Sequence, residues 1–270
     1  MDFEIDSGWK LHPVGGDTGQ AYMGTRAEEK LFLKRNSSPF LAALSVEGIT
    51  PRLMWTKRIG NGDVLTAQEW LNGRALTKKE MSSPEVAKLI SRIHNSATLR
   101  RMLARVGGEV ITPEQLIQKY EEKLSLDLQN HPLLSLIIKK LKAEVALMST
   151  VEAKVCHGDI YRKNWLLSDE NRLYLVDWDS AMLCDPAMDV SMLLCQYVPK
   201  DTWLDWLEHY DTEVTEELKS RIMWYALMNY LIQTKQHHKE TRFHEMNKDI
   251  IMLQSLYQGQ NYFFNKNEEF

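Results

Sequence analysis

Hydrophobic and polar residues alternate in two different ways along this chain, and the change falls near Gly73. Before that point, short apolar runs are bounded by glycine and polar turns. Ala21-Tyr22-Met23-Gly24 is followed by a polar turn at Glu28-Glu29-Lys30, then by Leu31-Phe32-Leu33 ending at Lys34. Residues 52–56 and 64–70 repeat the pattern, with Asn61-Gly62-Asp63 as a hairpin turn before the second. These are the signals of strands joined by tight turns. Residues 39–48 differ: Leu41 and Leu44 sit at helical spacing behind Pro39, so a short helix is predicted there. Residues 1–72 therefore read as an antiparallel sheet lobe with one helix inserted.

Helical periodicity dominates residues 73–270. In residues 83–95 the apolar positions Val86, Leu89, Ile90 and Ile93 form one face. Thr112-Pro113-Glu114 supplies an N-cap, a proline at N1 and an acidic first turn. Further helices are predicted over 132–148, 200–210, 216–235 and 244–257. Between them, residues 155–179 form a β-rich island. The predicted class is α+β in two lobes: a β-rich lobe over 1–72 and a larger, mostly helical lobe over 73–270.

Composition narrows the function. The chain has 270 residues, 44% hydrophobic, with 33 Lys and Arg against 37 Asp and Glu. That is enough for a sizeable core. A formal charge of -4 offers no footprint for nucleic-acid binding. Cys156, Cys184 and Cys195 have neither CxxC spacing nor an even count, so reduced thiols are expected. Residues 1–10 lack a signal-peptide pattern, and no stretch approaches the ~20 apolar residues that span a bilayer. A cytoplasmic protein without membrane association is the expectation.

The chemistry is written in the island. His157-Gly158-Asp159 is followed by Asn164, and then by Asp177-Trp178-Asp179. Phosphoryl transfer needs a group that orients the acceptor hydroxyl and takes its proton, and hard oxygen ligands for Mg²⁺. Asp159 can supply the first; Asn164 and Asp177 can supply the second. Either metal ligand lies beside an apolar strand that would hold it rigidly. Any one of these residues alone is more often structural, as a turn or hairpin cap. The ordered set is specific.

Upstream, Gly15-Gly16-Asp17-Thr18-Gly19 is a glycine-rich turn whose N–H groups can approach phosphates, although a plain hairpin has the same composition. It is not a P-loop, because no Gly-Lys-Ser/Thr follows. Lys34 ends an apolar strand and can reach the α- and β-phosphates of ATP, with Glu47 as the acid that would aim it. His237-His238 reads as a solvated face. Trp203, Trp206, Tyr210, Trp224, Tyr225 and Tyr230 read mostly as core.

His-Gly-Asp-x4-Asn followed by Asp-Trp-Asp resembles the aminoglycoside phosphotransferase and choline kinase group, relatives of protein kinases. The resemblance implies the bilobal kinase-like fold, ATP and Mg²⁺ as cofactors, Asp159 as catalytic acid–base residue, and Asn164 and Asp177 as metal ligands. His157 would brace the catalytic loop. Asp185-Pro186-Ala187-Met188-Asp189 matches the Asp-Pro-x-x-Asp of the same group, so Asp189 would anchor that loop's backbone. Ile93-His94 is similar to a Leu-His helix ending common there, with His94 as core. Trp178-Asp179 stands where protein kinases have Phe-Gly, and no activation segment separates Asp179 from Asp185. A protein kinase is therefore disfavoured.

A narrower resemblance runs from Val14 to about Tyr257. Ala21-Tyr22-Met23-Gly24, Gln68-Glu69-Trp70-Leu71 and the segment from Tyr174 to Ser180 are similar to the YtmP-like or CcrZ family of low-GC Gram-positive bacteria. That family includes a cell-cycle regulator. The likeness implies a kinase of ribosyl or deoxyribosyl nucleosides that couples division to replication initiation. Its partners would be FtsZ and, functionally, the initiator DnaA. Two other readings stay open: a choline or aminoglycoside kinase, and a nucleotide-binding scaffold without turnover. Retention of Asp159, Asn164 and Asp177 argues against the scaffold.

Overall fold

The computed structural model describes residues 8–14, 21–59, 62–146, 148 and 151–259. The chain separates into two compact units. The first comprises Met1–Thr77, Ala97–Gly107 and Tyr161–Ser180; the second comprises Lys78–Ser96, Gly108–Ile160 and Ala181–Phe270.

The first unit is built on a five-stranded antiparallel sheet. Its strands are β1 (Lys10–Pro13), β2 (Ala21–Arg26), β3 (Glu29–Arg35), β4 (Leu53–Arg58) and β5 (Val64–Glu69), in the spatial order β1-β2-β3-β5-β4. Alternation sets its core face. Leu31 and Leu33 of β3 and Leu65 and Ala67 of β5 are buried together, with Trp9, Leu11, Tyr22 and Trp55 packed against them. The turn expected at residues 28–30 is tighter than the polar run implied. Ala27 takes it at φ +49°, and Glu29 and Lys30 already belong to β3.

Helix α1 (Phe40–Val46) follows β3, with Pro39 at its N-cap. It packs against α3 (Ala97–Arg105), which belongs to the same unit, whereas α2 (Pro84–Asn95) lies in the second. A second sheet in the first unit has the order β6-β8-β9, where β6 is Gly73–Ala75, β8 is Trp165–Ser168 and β9 is Leu173–Leu175. Gly73 is required there by close approach. A Cβ at this position would lie 2.4 Å from the Leu167 carbonyl oxygen and 2.9 Å from Ser168 Cα.

The second unit is largely helical: α2, α4 (Pro113–Glu121), α5 (Leu126–Gln129), α6 (Pro132–Val145), α7 (Ala187–Tyr197), α8 (Trp203–His209), α9 (Glu216–Lys239) and α10 (Phe243–Gln258). A two-stranded ladder pairs β7 (Lys154–Cys156) with β10 (Met182–Cys184). The cap read at Thr112 is a full capping box with Gln115. The six aromatic residues named above are all buried. His237-His238 departs from the solvated face expected of it. His237 Nδ1 lies 2.6 Å from Asp249 Oδ2 on α10, and His238 packs edge-on against Phe243. The cause is α10 folding back along α9, a tertiary contact that polar neighbours in the chain do not signal. Among the described residues, no helix is long and apolar enough to cross a membrane.

Candidate active site

Lys34 stands near the end of β3, paired in register with Ala21 of β2 and Thr66 of β5. The two neighbouring strands fix its backbone. Its ammonium lies 2.8 Å from Asp177 Oδ1 and 2.7 Å from Asp179 Oδ2. Glu47 is placed at the C-cap of α1, half-buried, and the carboxylates that hold Lys34 come instead from the segment after β9.

That segment is unusually arranged. Asp177 has φ +65°, a left-handed conformation that a non-glycine residue adopts at a cost of about 1–3 kcal/mol. Its neighbours offset the cost. Val176 N–H donates to the Asn164 carbonyl at 2.9 Å, so the two expected metal ligands are tied together through one backbone hydrogen bond. Trp178 is buried, donates Nε1–H to the Leu175 carbonyl at 2.8 Å, and packs edge-on against Phe40 of α1. A buried Trp178 with exposed carboxylates on either side turns Asp177 and Asp179 out together.

The donor set suits a hard divalent cation. Asn164 and Asp177 offer amide and carboxylate oxygens, the ligands that Mg²⁺ takes.

In the second unit, Asp159 follows β7 on a loop held from beneath. Asp189, on the first turn of α7, is fully enclosed. Its Oδ2 accepts the His157 N–H at 2.7 Å and its Oδ1 accepts the Gly158 N–H at 3.1 Å. Gly158 takes φ +77°, which favours glycine. His157 is buried, and its Nδ1 accepts the Asp159 N–H at 3.2 Å. Burial pushes the Asp189 carboxyl up, but the hydrogen bonds from the His94 ring and from the His157 N–H hold it below the ordinary carboxylate range. The loop before Asp159 is thus anchored on a carboxylate that stays ionised.

Gly15, Gly16, Asp17, Thr18 and Gly19 lie outside the described residues, as does Asn61 of the hairpin turn. The sequence reading did not give Asp179 a role in the site. Its signal lay in the sequence only as a second carboxylate flanking Trp178 in Asp177-Trp178-Asp179. The contacts of Tyr210 with the support of the loop had no sequence signal.

A model of the phosphotransferase enzyme family matches residues 21–223. Solved structures resemble the chain over most of its length. The choline kinase LicA from Streptococcus pneumoniae aligns with a TM-score of 0.68 at 19% identity, covering 94% of each chain. The GDP complex of aminoglycoside 2'-phosphotransferase-IIIa aligns at 0.67 and 12% identity, covering 96% of this chain and 95% of the other. A choline/ethanolamine kinase family protein from Mesorhizobium loti aligns at 0.64 and 14%, covering 95% and 88%. The kinase-like fold, with an antiparallel-sheet N-terminal part and a helical C-terminal part, is common to all.

Proposed function

Because the chain belongs to the phosphotransferase enzyme family, we propose that it transfers the γ-phosphoryl group of ATP to a hydroxyl of a small molecule, a ribosyl or deoxyribosyl nucleoside. The observation that carries the kinase chemistry is the Lys34 ammonium held by Asp177 and Asp179, with Asp177 tied to Asn164 through Val176. The nucleoside acceptor rests on the sequence resemblance to the YtmP-like family.

In this reading Lys34 binds the α- and β-phosphates, and Asp179 orients it. Asn164 and Asp177 hold Mg²⁺, which when bound neutralises phosphate charge. Asp159 accepts a hydrogen bond from the acceptor hydroxyl and takes its proton late in the transfer. His157 and Asp189 keep the Asp159 backbone in place. The role in the cell is to couple division to replication initiation, with FtsZ as partner at the division site and a functional link to DnaA. That role is drawn from the same resemblance.

The test is ADP release by the purified protein with Mg²⁺ and ATP across ribonucleosides, deoxyribonucleosides, choline and kanamycin, with mass analysis of each product. Turnover and a phosphorylated sugar in the nucleoside arm are expected. Turnover confined to choline or kanamycin overturns the nucleoside assignment and keeps the kinase. ATP binding with no product in any arm favours the scaffold.

A further inference from the structure

We propose that Tyr210 is a positioning residue for the catalytic loop, acting through His94 and Asp189; this rests on the reading of Asp159 as the catalytic residue. Four buried groups form a line in the second unit. The Tyr210 hydroxyl lies 2.7 Å from His94 Nδ1, and His94 Nε2 lies 3.3 Å from Asp189 Oδ2. The same Asp189 oxygen accepts the His157 N–H, and His157 Nδ1 accepts the Asp159 N–H. A residue at the C-cap of α8 is thereby connected to Asp159 by hydrogen bonds that pass through His94, Asp189 and the backbone and ring of His157.

Donor and acceptor rules settle the direction of each bond. An ionised Asp189 only accepts, so His94 Nε2 must carry the proton it donates. In a neutral imidazole Nδ1 is then an acceptor, and the Tyr210 hydroxyl donates to it. Burial pushes the Tyr210 phenol well above its ordinary pKa, with added effect from Cys156, Asp189 and Asp185, so it remains a donor. The opposite arrangement fails on satisfaction. If His94 were an imidazolium donating to Tyr210, the phenol hydrogen would have no acceptor among the described residues, at a site 6% exposed. Trp206 stacks on the Tyr210 ring at 6.0 Å and fixes its orientation. Tyr210 thus sets the tautomer of His94. That tautomer gives Asp189 a third donor while the carboxylate holds the loop through the His157 and Gly158 N–H groups.

Two measurements test this on the full chain. The first is the ¹⁵N spectrum of the His94 ring in the unaltered protein. A protonated Nε2 with a hydrogen-bonded, unprotonated Nδ1 is expected. A ring protonated on Nδ1, alone or with Nε2, overturns the proposal and needs no variant to fold.

The second compares Tyr210→Phe and Asp159→Ala by ADP release from Mg-ATP, using the best acceptor of the panel above, or water where none turns over. Tyr210→Phe should lower kcat about tenfold and leave KM for ATP within about twofold, since a small displacement of the reacting geometry acts on the chemical step. Unchanged kcat, or a change carried by KM alone, overturns the positioning role. Retained activity in Asp159→Ala would instead overturn the assignment of the base, a result separable from the state of the His94 ring.

Discussion

Burial and charge act in opposite directions on Lys34. Burial alone lowers its ammonium pKa, but hydrogen bonds and charge from Asp177 and Asp179 outweigh it and raise the value above the ordinary 10.5. A folded value above the unfolded one means that the pair's contribution to stability is complete below pH 10.5. It is lost as pH rises through the folded value. Lys34 is therefore fully charged at neutral pH, and any rate dependence between pH 6 and 9 belongs to another group. Both carboxylates are about half exposed, which limits the strength of each pair. If Asp179 orients Lys34 toward the phosphates, Asp179→Asn should raise KM for Mg-ATP by about three- to tenfold, with a smaller effect on kcat. Steady-state kinetics against ATP checks this. An unchanged or lower KM would mean that Asp179 plays no part in aiming the lysine.

At the scale of elements, the order of glycines and apolar runs led correctly to the strands at residues 21–24, 31–34, 52–56 and 64–70, each found within a residue or a few. The helices at residues 216–235 and 244–257 were also legible, although α9 runs on to Lys239. Three helices were not: α3, α7 and α5, the last a single turn of four residues. Helix α3 begins two residues after α2 ends, with no proline or glycine to mark a boundary. Helix α7 is buried from Ala187 through Leu194 and so has no polar face to give it a helical period. The loop anchor was visible as residue types at a spacing, because Asp-Pro-x-x-Asp and His-Gly-Asp are local. The ion pairs of Lys34 span 143 and 145 positions, and periodicity carries no information on such contacts.

Gly73 tests the element account. Its place opposite Leu167 and Ser168 leaves no room for a side chain, and the obstruction is backbone, which yields little. Gly73→Ala should destabilise the fold by about 1–3 kcal/mol, measured by urea unfolding. A variant as stable as the parent would mean that β6 and β8 separate at small cost.

At the scale of the whole molecule, the family match over residues 21–223 covers parts of both compact units, and with them Lys34, Asp159, Asn164, Asp177 and Asp179. In the proposed mechanism the two units carry different parts of the chemistry. The first holds Lys34, Asn164, Asp177 and Asp179, the groups suited to phosphates and a divalent cation. The second holds Asp159 with its support from His157, Asp189, His94 and Tyr210. Removing a group from the first should impair nucleotide binding, and removing Asp159 from the second should impair transfer. Asp177→Ala is accordingly expected to weaken Mg-ATP binding as well as turnover.

The most direct measurement is transfer by Asp159→Ala alongside its affinity for Mg-ATP, read by ADP formation and by equilibrium binding on the same preparation. Loss of turnover by about 10²- to 10⁴-fold, with Mg-ATP affinity within about threefold of the parent, is the result expected of a general base that touches the acceptor hydroxyl. Turnover equal to the parent's would contradict the account of Asp159 as the residue that receives the proton.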